Sequence, residues 1–146
     1  MCHLVFFSTD SDEDFLQAPT DDFRIETPGG DDLEAIRGLL AYPNVWYMGC
    51  RYGGCSCHFC YRFTGYEPPL GPHEDWMGNE EDDDIVATLG AYRFFKGIIE
   101  SGHKLDVLSV WDGEIPEVAT DVNISVATLP PEHFRFIQDV RFVFGA

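Results

Sequence analysis

The chain has 146 residues, 45% of them hydrophobic and 14% aromatic, which is one domain's length with material for a packed core and excludes global disorder. Nine Lys and Arg against 26 Asp and Glu give a net charge of −17. Such a charge repels polyphosphate and anionic lipid, so direct nucleic-acid binding and membrane docking are not expected.

Residues 2–8 (CHLVFFS) are rich in β-formers and predict a mostly buried strand. Residues 9–22 are polar and acidic and predict a loop. Residues 23–27 (FRIET) alternate apolar and polar, as a half-buried strand does. After Pro28-Gly29-Gly30, Asp31 stands as an N-cap with Glu34 three positions later. Leu33, Ile36 and Leu40 then follow at helical spacing, so a short helix is expected from about residue 32 to 40 or 41. Residues 44–49 and 55–63 flank Gly53-Gly54 and read as a β-hairpin. Residues 64–79, with Pro68, Pro69 and Pro72, predict an irregular loop.

Residues 80–102 carry the strongest helical signal. The acids at 80–84 suit the positive end of a helix dipole, Ile85, Leu89, Tyr92, Phe95 and Ile99 mark one face, and Gly102 suits the C-terminal stop. Residues 105–111, 122–129 and 140–144 read as strands, with turns at Asp112-Gly113 and Pro116 and a short turn or helix from Pro130-Pro131. No repeat and no linker divides the chain, so a single domain over residues 1–146 is expected. The order of elements predicts an α+β fold: a mostly antiparallel sheet with two main helices packed on one face.

No apolar run reaches the roughly 20 residues of a membrane helix. The apolar patch at residues 4–7 lacks the positive flank and small-residue cleavage site of a signal peptide. A cytoplasmic location is therefore expected, where thiols stay reduced. The chain has five cysteines, an odd number far below the density of a disulfide scaffold.

Four of them fall within eleven residues, as Cys50-x4-Cys55-x-Cys57-x2-Cys60. If Gly53-Gly54 is a two-residue turn, Cys50 faces Cys57; if the loop spans residues 51–54, Cys50 faces Cys55. Three thiolates with one further ligand are the inventory of a structural zinc site, and soft thiolates select such an ion over hard cations. Cys50, Cys55, Cys57 and Cys60 are the expected ligands and zinc the expected cofactor. His58, or Cys2-His3 if the first strand lies beside the hairpin, are alternatives for the fourth position. The spacing is also near that of plant-type iron–sulfur runs, with a different middle gap.

Two other readings compete. An acidic module binding a basic partner, as an immunity or inhibitor protein does, follows from the charge. A thiol-dependent enzyme would use Cys55 or Cys57, flanked by Arg51 and Arg62, or Cys2 as a nucleophile. Asp10-x-Asp12-x-Asp14 opens like a calcium loop, but Phe15 stands where the turn glycine belongs and Asp21 at the twelfth position. His73, His103 and His133 are isolated.

Met1-Cys2 resembles the start of N-terminal-nucleophile amidotransferases, and Gly71-Pro72-His73 resembles a stretch in one branch of them. That resemblance is confined to these residues and would imply Cys2 as nucleophile. Met1-Cys2-x-Leu4 with Ser8-Thr9, Trp46-Tyr47-x-Gly49 and Gly54-Cys55-Ser56-Cys57-x-Phe59 resembles small bacterial proteins that carry no assigned function. The resemblance implies a bacterial, cytoplasmic, single-domain protein and no activity. It also implies a pair or trio centred on Cys55 and Cys57, with Cys2 in the shared pattern.

Overall fold

The computed structural model describes residues 2–17, 21–31, 33–51, 55–62 and 81–146. In chain order the elements are β1 (His3–Thr9), a 3-10 turn (Phe15–Gln17), β2 (Phe23–Glu26), α1 (Leu33–Leu39), β3 (Asn44–Cys50), β4 (Tyr61–Arg62), α2 (Asp82–Glu100), β5 (Leu105–Trp111), β6 (Thr120–Ser125), a second 3-10 turn (Pro131–His133), β7 (Phe136–Ile137) and β8 (Val140–Gly145). The fold is α+β. Its main sheet has six strands in the order β2-β3-β1-β5-β8-β6. Every neighbouring pair is antiparallel except β6 with β8. A separate short pair joins β4 to β7 in parallel.

Alternation along β1 explains how the sheet is covered. Val5 and Phe7 point to one face and Leu4 and Phe6 to the other, as period-2 geometry requires. Val5 and Phe7 pack with Ala91, Tyr92, Phe95 and Ile98 of α2 and with Phe142 and Phe144 of β8. Phe6 packs with Ile36 of α1, Leu40, Val45, Leu108 and Val110. The two helices therefore cover opposite faces, not the single face expected. The reason is that β1, β5 and β3 carry apolar residues at both parities, so each face needs a cover.

The α1 face also carries a buried polar staple. Asp106 of β5 accepts hydrogen bonds from the Ser8 hydroxyl and from the Ala41 N–H at 2.8 Å. Arg141 of β8 lies 3.6 Å from the same carboxylate and pairs bidentately with Asp121 of β6. Burial pushes the Asp106 carboxyl up, against the Ser8 and Ala41 hydrogen bonds and the Arg141 charge. The chain leaving α1 is thereby tied to the middle of the sheet.

The helix α2 begins with Asp82, Asp83 and Asp84 at its positive end. At its end the Gly102 N–H bonds to Ile99 and the His103 N–H to Ile98, with Gly102 at a φ of 88°. This is the paired stop that a left-handed glycine permits. Tyr92 and Phe95 are buried as expected, but the rest of the buried stripe is Asp84, Thr88, Ala91 and Ile98. A buried contact accompanies the rotation: the Thr88 hydroxyl accepts the Cys60 N–H at 2.7 Å and donates to the Asp84 carbonyl.

Among the described residues the expected hairpin does not form. The strand β3 pairs with β1 on one side and β2 on the other, so both its edges are taken. Residues 55–59 turn instead, and β4 pairs with β7. Gly53 and Gly54 lie outside the described residues, as does the expected loop at 64–79 with His73 and Trp76. One backbone bond survives from the four-residue-loop alternative, from the Cys50 N–H to the Cys55 carbonyl at 2.8 Å.

Candidate metal centre

Ser56 builds this site. Its backbone N–H donates to the His3 carbonyl at 2.8 Å. Its hydroxyl accepts the Val5 N–H at 3.0 Å and donates to the Met48 carbonyl at 2.6 Å. Val5 and Met48 are partners across β1 and β3, so one buried hydroxyl bridges two strands at the end of their ladder. The residues on either side of Ser56 are Cys55 and Cys57, and both are thereby delivered to the start of β1, where Cys2 sits. The Cys2 carbonyl accepts the Asp112 N–H at 2.7 Å, which fixes the third corner.

The sulfurs of Cys2, Cys55 and Cys57 all lie within 4.8 Å of one another, and each residue is half-exposed. A tetrahedral ion with bonds of about 2.3 Å holds its sulfurs about 3.8 Å apart, so closing around one takes no more than about 1 Å of movement. This three-cysteine group can hold a metal ion. Among the described residues no fourth His, Cys, Asp or Glu joins it.

Cys50 and Cys60, expected as ligands beside Cys55 and Cys57, stand outside the group. Both are buried. The Cys50 sulfur packs in the core on the α2 face and accepts the His58 N–H at 3.0 Å. Burial pushes its thiol up to about 11. Cys60 is fully buried where its N–H meets Thr88 and its carbonyl meets Phe136.

The thiols differ in electrostatics. Burial pushes Cys57 up to about 12, against the pull of the His3 N–H that donates to its sulfur at 3.2 Å. The hydrogen bond and charge of Cys55 raise Cys2. Burial raises Cys55 too, but the Cys57 N–H and the Cys57 and Cys2 thiols all donate toward it, and the balance holds it below the ordinary range.

His3 supports the site without joining it. Its ring is buried, with Nδ1 at 3.2 Å from the Ser56 carbonyl and Nε2 against the Ser109 hydroxyl. A carbonyl can only accept, so Nδ1 carries the proton and Nε2 accepts from Ser109. Tyr61 stacks on the ring at 4.5 Å and Trp111 tilts against it at 6.0 Å. Burial lowers the imidazole to about 4, so it is neutral. His58, the other candidate ligand, pairs its Nδ1 with Asp84 at 3.5 Å and is largely exposed.

Two acids of the calcium-like run have partners of their own. Asp10 accepts the Lys104 N–H at 2.8 Å and lies 3.4 Å from His103, and Asp14 accepts the Leu16 N–H at 3.0 Å. The sequence pointed to Cys55 and Cys57, and offered Cys2 as an alternative ligand if the first strand lay beside them. It carried no signal for Ser56, whose role depends on strands β1 and β3 lying side by side. No helix among the described residues is long and apolar enough to cross a membrane. Comparison with family models, with curated proteins and with solved structures finds no match.

Proposed function

We propose that Cys2, Cys55 and Cys57 bind one thiophilic metal ion, with zinc the first choice. The observation that carries this is the convergence of three sulfurs from two distant segments within 4.8 Å. Zinc suits them because three thiolates supply soft donors and leave one tetrahedral position for a ligand from solution. The bound ion would tie the start of β1 to the turn after β3. Its energetic reward is greatest where two segments of distant sequence meet, since the unfolded chain holds no such site.

Metal analysis of chain purified without chelator, followed by zinc titration against a competing chelator, tests the reading. The expected result is one ion per chain and a sulfur-to-metal charge-transfer band on cobalt substitution. Less than about a tenth of an equivalent, with no uptake on titration, overturns it, because a three-thiolate site retains such an ion tightly.

A second reading has one observation in its favour. A cavity of about 380 Å³ is lined by Asp21, Asp22, Glu81, Asp83 and Asp84 together with Arg51, His58 and the apolar side chains of Val86 and Ala87. We propose it as the place where a basic protein partner would dock. Association would then weaken steeply as salt rises; a partner whose binding is insensitive to salt counts against it.

A further inference from the structure

We propose that Cys2 and Cys55 form a reversible disulfide when the protein meets a peroxide, with Cys57 left reduced. The inference rests on the same three thiols as the metal reading and names the regulation of that site. Redox-responsive cysteines are accessible, carry thiolate character and stand beside a resolving thiol. All three cysteines are partly exposed, and their sulfurs lie mutually within 4.8 Å. Both other sulfurs lie within 4.8 Å of Cys55, so a sulfenic acid formed there meets a resolving thiol.

The resolving partner is chosen by Ser56. A bond between Cys55 and Cys57 would close a small ring through Ser56. That residue is held by four hydrogen bonds: its N–H on His3, its carbonyl on the His3 ring, and its hydroxyl on Val5 and Met48. The backbone between the two cysteines therefore cannot adjust to the specific geometry of a disulfide without breaking buried contacts. Cys57 is further held by the His3 N–H on its sulfur. Cys2 is held through its backbone carbonyl by the Asp112 N–H, which leaves its side chain to turn toward Cys55. It comes from a segment 53 positions away, and a link to Cys55 leaves the Ser56 bridge intact.

The chemistry balances with a peroxide as oxidant. The Cys55 thiolate attacks one peroxide oxygen, the O–O bond breaks, and the second oxygen leaves as hydroxide or alkoxide, giving a sulfenic acid on Cys55. The Cys2 sulfur then attacks the sulfenic sulfur. An S–S bond forms, the S–OH bond breaks, and the Cys2 proton leaves with the hydroxyl as water. Two thiols lose two electrons and the peroxide gains them. The product has one thiolate where the ion had three, so oxidation releases the metal.

Metal-free and zinc-loaded chains are treated with equimolar hydrogen peroxide, blocked with an alkylating agent, digested without reduction and mapped by fragmentation mass spectrometry. The expected product links Cys2 to Cys55 and carries the alkyl group on Cys57. Cys57→Ser keeps the link; Cys2→Ser stops at a Cys55 sulfenic acid captured by dimedone. A Cys55 to Cys57 link, a link only between chains, or oxidation past sulfenic acid without any link overturns the proposal. Zinc-loaded chain should react at least tenfold more slowly and release one ion as the link forms. If the link forms equally fast with zinc present and no ion is bound, the metal reading fails and the disulfide stands. If zinc binds and no link forms, the disulfide fails and the metal reading stands.

Discussion

The backbone N–H of His3 donates to the sulfur of Cys57 at 3.2 Å, across 54 residues of sequence. The same histidine places its ring in the core, between Ser56 and Ser109, so one residue of β1 both steadies a thiol and anchors the turn that presents it. Metal ligands commonly depend on such supporting contacts, which cost about 10–100-fold in affinity when removed.

Ligand substitutions should separate the trio from the other cysteines. Cys2→Ser, Cys55→Ser and Cys57→Ser should each weaken zinc binding by more than about 100-fold, at least as much as loss of a supporting contact. Cys50→Ser and Cys60→Ser should leave affinity near wild type and lower stability instead, because each places a hydroxyl in a buried site. Competition titration and denaturant unfolding read the two effects. Because Cys57 is raised to about 12 and Cys2 is also raised, binding must displace protons, so affinity should climb as pH rises through the neutral range. Affinity that is flat with pH would count against thiolate ligation.

Ser56→Ala should be costly for so small a change. It leaves the Val5 N–H and the Met48 carbonyl without the hydroxyl that bridges them. A buried polar group stripped of its partner costs about 1–3 kcal/mol. Urea unfolding should show a loss in that range, and zinc affinity should fall with it because Cys55 and Cys57 lose their shared support.

The metal-free protein should lose stability between pH 6.5 and 4 through His3. Its imidazole titrates at about 4 when folded against 6.5 as its ordinary value. As pH falls below 6.5 the unfolded chain takes up the proton first, so stability declines until the folded pKa is reached and then has no further contribution from this group. The gap corresponds to on the order of 3 kcal/mol at about 1.4 kcal/mol per pH unit. His3→Gln should flatten that part of the stability profile, and ring chemical shifts at pH 5 should show His3 still neutral.

Two glycines of α2 should respond oppositely to alanine. A Cβ at Gly97 meets nothing within 4 Å, so Gly97→Ala should stabilise by about 0.5–1 kcal/mol through helix propensity alone. A Cβ at Gly90 would lie 2.6 Å from Asp22 Oδ2 and 3.1 Å from Asp22 Cβ. Gly90→Ala must displace that side chain and should lose the gain. Thermal melts of the two variants make the comparison.

Local pattern carried the secondary structure. The charge of the first turn, the spacing of Tyr92 and Phe95 and the stop at Gly102 marked α2, and β-rich runs marked β1, β3, β5 and β8, because propensity, capping and periodicity are properties of neighbours in sequence. The acidic composition and the concentration of thiols were also visible there. Pairing was not. Gly53-Gly54 looked like a hairpin turn, yet β3 found partners on both edges in β1 and β2, and the chain after it turned away. Strand pairing is a competition among all strands for hydrogen-bond edges, and no short stretch contains its outcome. The same competition brought Cys2 to Cys55 and Cys57, left Cys50 and Cys60 in the core, and gave Ser56 a role that its identity alone does not announce.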